Sequence, residues 1–269
     1  MTGGAAQARP RVPTGGWRTW CLAGAVLCLL VALLPPLATS ARRIEYLAAL
    51  QFSLLAIVLP LMIVLCAPWR WLHLAKDPEA EDAPPRLADR LADRRCRHRE
   101  LPWSLAFLVV AVGVGVGWRS PGAVAALAAH GWLAPVEGVT LAVVGVGLWL
   151  ELVSSPPLEP RSSLLRRAVL AAFAMWSFWI LAYVSGLSNH GFYPNFHHST
   201  GGLGAAADQQ IASGVLWAVA ALCFMPVIFA SALRWLQSEE DPDAELLALA
   251  RADRRRGLTP LREHRDGAA

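Results

Sequence analysis

The sequence predicts an all-α polytopic membrane protein, a bundle of about six transmembrane helices with both termini in the cytoplasm. Three observations predict it. Long windows contain no Lys, Arg, Asp or Glu, the basic residues collect between those windows, and 55% of the 269 residues are hydrophobic against 16% charged. A soluble domain carries more charge and spreads it more evenly.

Crossing the hydrocarbon takes about 20 apolar residues, and six windows approach that length: 18–39, 44–68, 101–118, 136–155, 166–187 and 209–235. The first follows Arg9, Arg11 and Arg18 and ends near Pro35-Pro36 and Ala38-Thr-Ser-Ala41, which is also a passable signal-cleavage pattern. An uncleaved helix is expected, because orientation requires an even number of spans. The resulting organisation is a short tail (1–17), a six-helix domain (18–236) with a polar loop at 69–100, and a charged tail (237–269).

Cytoplasmic connections retain Lys and Arg. The amino-terminal tail has three, the loop from Arg70 to Arg99 eight, the segment holding Arg161, Arg166 and Arg167 three, and the chain from Arg234 onward seven, together 21 of the 24. Only Arg42, Arg43 and Arg119 fall on the opposite side. Tryptophans favour the interface, and here Trp17, Trp20, Trp69, Trp71, Trp103 and Trp235 mark the inner boundary, with Trp118 and Trp132 at the outer. Gly113, Gly115 and Gly117, then Gly145 and Gly147, allow close helix approach.

The basic composition, with pI near 9.0, is explained by membrane lipid and topology, and no nucleic-acid partner is expected. Cys21, Cys28, Cys66, Cys96 and Cys223 form no Cys-x-x-Cys pair and no disulfide framework. In the polar loop, Arg86-Leu-Ala-Asp repeats at Arg90-Leu-Ala-Asp, a spacing for a short solvated, membrane-surface or partner-docking helix, though a charged cytoplasmic loop that enforces topology is the expected reading. No nucleophile elbow, phosphate loop or zincin motif occurs, and an enzyme is not expected.

Ionisable groups in or beside spans are costly and become candidates by default. Glu45, Glu137 and Asp208 are expected together at the outer rim, beside Gln209. Asp208 at a helix start could equally serve as an N-cap. Glu151, near the inner end of the fourth span, is expected to pair with Arg161 or Arg166. His130, His190, His197 and His198 are the candidate metal ligands on the outer side; a solvated loop accounts for them as well.

Three stretches carry a family resemblance. Phe192-Tyr-Pro-Asn-Phe196, Asp208-Gln-Gln-Ile-Ala-Ser-Gly-Val-Leu-Trp217 and Arg234-Trp-Leu-Gln-Ser-Glu-Glu240 form one; Gln51 to Pro68, with Pro60 and Cys66-Ala-Pro68, a second; Glu137 with Gly145, Gly147 and Trp149 a third. Together they resemble the CtaG family of cytochrome c oxidase assembly factors. The resemblance implies a bacterial cytoplasmic membrane protein that contacts oxidase subunits and assists maturation of the oxidase, its copper centre included. It puts the site at Glu137, Asp208 and Gln209, with Trp149, Trp217, Tyr193 and Pro194 in support. Ala48 and Phe52 replace family histidines four apart on the second span, and Gly138 replaces the histidine after the family's glutamate. Neither Ala nor Phe ligates a metal, so the resemblance carries copper to this chain as a doubtful cofactor. A small-solute or ion (copper) permease and a structural subunit that binds no metal are the alternatives.

Overall fold

The computed structural model describes residues 16–76, 84–97, 102–187, 192–193, 196 and 204–239. Most of both tails, Pro194, His190, His197 and His198 therefore lie outside the described residues. Everything described is helix, turn or short connection, apart from one isolated bridge between Ser155 and Leu158.

Helix α1 (Gly16–Leu33) ends before Pro35, and a four-residue turn of helix, α2 (Leu37–Ser40), follows. The second span is one continuous rod made of α3 (Glu45–Ser53), a π-helical turn (Leu54–Val58) and α4 (Leu59–Cys66). Pro60 accounts for the π turn. Proline has no N–H and its ring crowds the carbonyl one turn back, and a widened turn relieves both. Within it the Leu59 N–H bonds the Leu54 carbonyl, five residues back. Ala67, at a left-handed φ of 49°, closes α4 and leads into α5 (Pro68–Trp71).

Helix α7 (Pro102–Trp118) supplies the third span and bends by 60° into α8 (Pro121–Ala129). Sequence reading places only a loop there. Pro121 forces the break by pushing Ser120 into extended backbone, and the Ser120 hydroxyl then accepts the Ala123 N–H at 3.3 Å, capping the new helix. Helices α9 (Leu133–Leu152), α10 (Leu164–Gly186) and α11 (Ala205–Glu239) complete the chain. Five helices are long and apolar enough to cross a membrane, and six spans result if α7 and α8 form one.

The second span is central, with α1, α9 and α11 packed against it, α7 against α9, and α10 along α11. Glu137, Leu141, Gly145 and Trp149 recur every four residues and so share one face of α9. A Cβ on Gly145 would stand 2.5 Å from Pro60 Cγ and 3.0 Å from the Ala56 carbonyl oxygen, so glycine permits the close approach. One turn on, Trp149 Nε1 donates to the Ile57 carbonyl at 3.1 Å, satisfying a group in the π turn, while its ring stacks on Phe224 at 4.7 Å. Of the other glycines, Gly147 meets the Phe107 ring, Gly115 makes ordinary contact with Phe52, and Gly113 and Gly117 face open space. Outward positions such as Leu27, Val109, Val143, Phe173, Leu222 and Phe229 are exposed, the apolar girdle a lipid solvent requires.

At the end opposite Glu45 the loop helix α6 (Leu87–Arg97) is docked onto the bundle. Asp89 Oδ2 accepts the Lys76 and Arg86 N–H groups, both at 2.9 Å, and Arg86 Nη1 donates to the His73 carbonyl at 2.9 Å. Arg95 Nη2 reaches Glu151 Oε1 at 2.9 Å and the Leu150 carbonyl at 3.1 Å. Glu151 is fully buried, accepts the Ser104 hydroxyl at 2.8 Å and faces Arg161 at 3.5 Å. The expected Arg161 pairing is present. Arg95 was not anticipated, and Arg166 makes no ion pair among the described residues. Trp69 is buried, its Nε1 donating to the Pro156 carbonyl, so it packs a loop instead of marking an interface.

Two outcomes follow. Gly145→Ala should lower unfolding stability in detergent by about 1–3 kcal/mol through overpacking, whereas Gly117→Ala should stay within about 0.5 kcal/mol. Glu151→Ala should cost about 3–5 kcal/mol by stranding buried guanidinium charge, and limited proteolysis should then cut faster within 86–97.

Candidate functional site

The opposite end of the bundle gathers the starts of α3, α9 and α11 and the end of α7. Asp208 lies in the first turn of α11, but its carboxylate does not cap its own helix. Oδ2 accepts the Glu45 N–H at 2.9 Å and Oδ1 the Tyr46 N–H at 3.0 Å. It thus caps α3, satisfying two of the donors a helix start leaves free. The positive end of the α3 dipole further favours the carboxylate there.

Gln209, next in sequence, is buried and its Oε1 accepts the Phe192 N–H at 2.7 Å. That bond holds the residues preceding α11 against it. Tyr193 then reaches inward, 1% exposed, and its hydroxyl donates to the Arg119 carbonyl at 2.9 Å. Burial pushes the Tyr193 phenol above its ordinary range, while the Arg119 guanidinium pulls the other way. The phenol is therefore a donor across the physiological range.

Arg119 is the central cation, and sequence reading counted it only as an outer-side charge. It is 5% exposed, with its guanidinium carbon 4.8 Å from the Tyr193 ring centre and 5.7 Å from that of Phe52. Both faces are within cation–π range. Glu45 and Glu137, also buried, feel its charge, yet neither forms an ion pair with it. Glu45 Oε1 and Arg119 Nε are buried without a hydrogen-bond partner. Beside them is a cavity of about 240 Å³ lined by Arg42, Ala48, Gln51, Trp118, Arg119 and Glu137 among others.

Glu45, Glu137, Asp208 and Gln209 are thus brought to one end, with Tyr193. Trp149 lies deeper, at the π turn. Trp217 is half-exposed on the outer surface of α11, stacked on Trp179 at 4.9 Å, and does not reach the cluster. His130 follows α8 and is exposed.

The family model for the cytochrome c oxidase caa3 assembly factor (Caa3_CtaG) matches residues 2–238. The chain belongs to that family. No curated protein and no solved structure matches it. With its apolar spans, it is a multi-pass membrane protein of the caa3 assembly factor family.

The positions where the resemblance implies histidine carry other contacts. Ala48 lines the cavity and packs beside Phe192, Tyr193 and Phe196; the Phe52 ring lies near Arg119; a Cβ on Gly138 would touch Leu55 at 3.7 Å. Among the described residues no three His, Cys, Asp or Glu side chains converge as metal ligands. The rim carboxylates share their space with a fixed guanidinium, which opposes a metal cation. These residues do not fit a resident copper ion.

Asp208→Ala should lower stability in detergent by about 1–2 kcal/mol, the range for a lost helix cap, and speed hydrogen exchange at the Glu45 and Tyr46 amides. Asp208→Asn, keeping one acceptor, should lose about half as much.

Proposed function

We propose that this protein is a non-catalytic assembly factor of the bacterial cytoplasmic membrane that assists maturation of a caa3-type cytochrome c oxidase, its copper centre included. Its termini face the cytoplasm and the Glu45, Arg119, Glu137 and Asp208 cluster faces outward. Family membership over 2–238 supports the oxidase as partner. The distribution of Lys and Arg supports the orientation. One observation carries the placement of the working surface: three carboxylates and a guanidinium are buried together at one bundle end, where ionised groups are expensive unless they serve a role.

Copper, in this reading, is cargo destined for the oxidase and is not held by the rim cluster. The protein acts on the oxidase subunit, orienting it while its centre is filled. His197 and His198, in the same outer loop as Tyr193, are the candidates for passing contact with the metal.

The test is a deletion strain complemented in turn by the parent chain, Glu137→Gln, and the double variant His197→Ala, His198→Ala. Deletion should remove most caa3 oxidase activity and lower copper per oxidase, and the parent should restore both. Glu137→Gln, expressed at parent level, should restore neither, and the histidine variant should restore activity with partial copper loading. Normal oxidase activity and copper content in the deletion strain would overturn the proposal.

A further inference from the structure

We propose that the cavity beside Arg119 is a binding site for a small zwitterion that presents one anionic oxygen group and one primary ammonium. That chemistry is shared by an ethanolamine phosphate lipid headgroup and a free amino acid.

The cavity wall carries three charged side chains, Arg42, Arg119 and Glu137. Arg119 is 5% and Glu137 7% exposed, so both charges are held almost out of solvent. Neither has a partner at ion-pair distance among the described residues, and Arg119 Nε has no acceptor. The Arg119 guanidinium is met by the Tyr193 and Phe52 rings and feels the Glu45 and Glu137 charges, but among the described residues no carboxylate closes on it at ion-pair distance. Because a buried charge short of a close counter-ion costs several kcal/mol, roughly, a ligand carrying complements to both Arg119 and Glu137 would supply the contacts the protein leaves open. Arg42 stands at the exposed mouth, its Nη2 2.8 Å from where a Cβ on Gly131 would be, and adds a second guanidinium for the anionic end.

The competing ligand classes fail on the same wall. A metal cation meets two guanidiniums, and a polyanion meets Glu137. An apolar molecule would leave both buried charges unmatched. The remaining lining, including Leu33, Val124 and Leu127, is apolar and suits a short carbon linker between the two ends. The volume, about 240 Å³, equals that of about eight water molecules at roughly 30 Å³ each, enough for an ethanolamine phosphate or a small amino acid. Glu137 accepts N–H donors, and a trimethylammonium offers none. The site lies where helices begin and end, at headgroup depth, so a lipid can reach it as readily as a solute.

Purified full-length chain in detergent is titrated calorimetrically with phosphoethanolamine and with glycine. In parallel, the chain is reconstituted with phosphatidylethanolamine, phosphatidylglycerol and phosphatidylcholine in equal parts, and retained lipid is read by native mass spectrometry. Binding of either soluble zwitterion, weakened at least about tenfold in Glu137→Gln and in Arg119→Gln, supports the site, as does selective retention of phosphatidylethanolamine that Glu137→Gln abolishes. Glycine binding alone assigns a solute; lipid retention without glycine binding assigns a headgroup. Arg119→Gln can fail to fold, since Arg119 packs against two rings. Arg42→Gln, at the exposed mouth, then serves, with several-fold weaker binding expected. Acetate or methylammonium binding as tightly as glycine, phosphatidylcholine retained equally, zwitterion binding undiminished in Glu137→Gln, or no binding in either arm would each overturn the proposal. None of these readouts depends on oxidase activity, so the site can fail while the assembly role stands.

Discussion

The bond on which the rim depends is the one from the Asp208 carboxylate to the Glu45 and Tyr46 amides. In a membrane no water competes for backbone donors, so a span that starts inside the protein needs an internal acceptor. Asp208 provides it from the first turn of α11, fixing how α11 meets the central span. Gln209 is thereby placed to take the Phe192 N–H, and the loop it anchors delivers Tyr193 to the Arg119 carbonyl. One capping carboxylate thus links α3, α11, the outer loop and α7, and Arg119 lies where that linkage closes.

A second seam runs below it. Pro60 demands a π turn, the π turn calls for an outside donor, and Trp149 supplies one. Gly145 is the condition for that contact, because any side chain there would hold α9 away from Pro60. Glu137 lies on the same face two turns earlier, so the approach that seats Trp149 also brings Glu137 to the cavity wall. Packing at mid-bundle and charge at the rim are settled by one helix face.

The spans were legible because they need only an apolar run of sufficient length, which composition displays directly. The co-location of Glu45, Glu137 and Asp208 was legible too, since charge counting put their helix ends on one side. Cross-chain partners were not. Asp208 is 163 residues from Glu45, and its sequence context, a carboxylate opening a helix, describes capping of its own helix equally well. Arg95 falls just past the Arg86 and Arg90 repeat and out of its four-residue period, and its partner Glu151 has Arg161 and Arg166 nearer in sequence. Helix α8 is too short to register as a span by itself, although its alanines favour helix and the Ser120-Pro121 step is a helix-start signal. Arg119 offered one clue, an arginine adjoining a span on the side where basic residues are scarce.

Ala48, Phe52 and Gly138, at the positions where the resemblance implies histidine, make physical sense beside Arg119. Phe52 gives the guanidinium an aromatic face, and Ala48 is small enough for Phe196 and Tyr193 to close over the same region. Histidine at 52 would exchange the Phe face for an imidazole that can itself become cationic, and at 48 it would crowd the loop. At Gly138 a Cβ would make only ordinary contact with Leu55. The three replacements are thus mutually consistent with a covalently attached cation in the rim. A guanidinium cannot be released or exchanged as a bound metal can, and it presents directional donors to whatever enters the cavity. The rim is therefore suited to recognising a partner or ligand through a fixed charge.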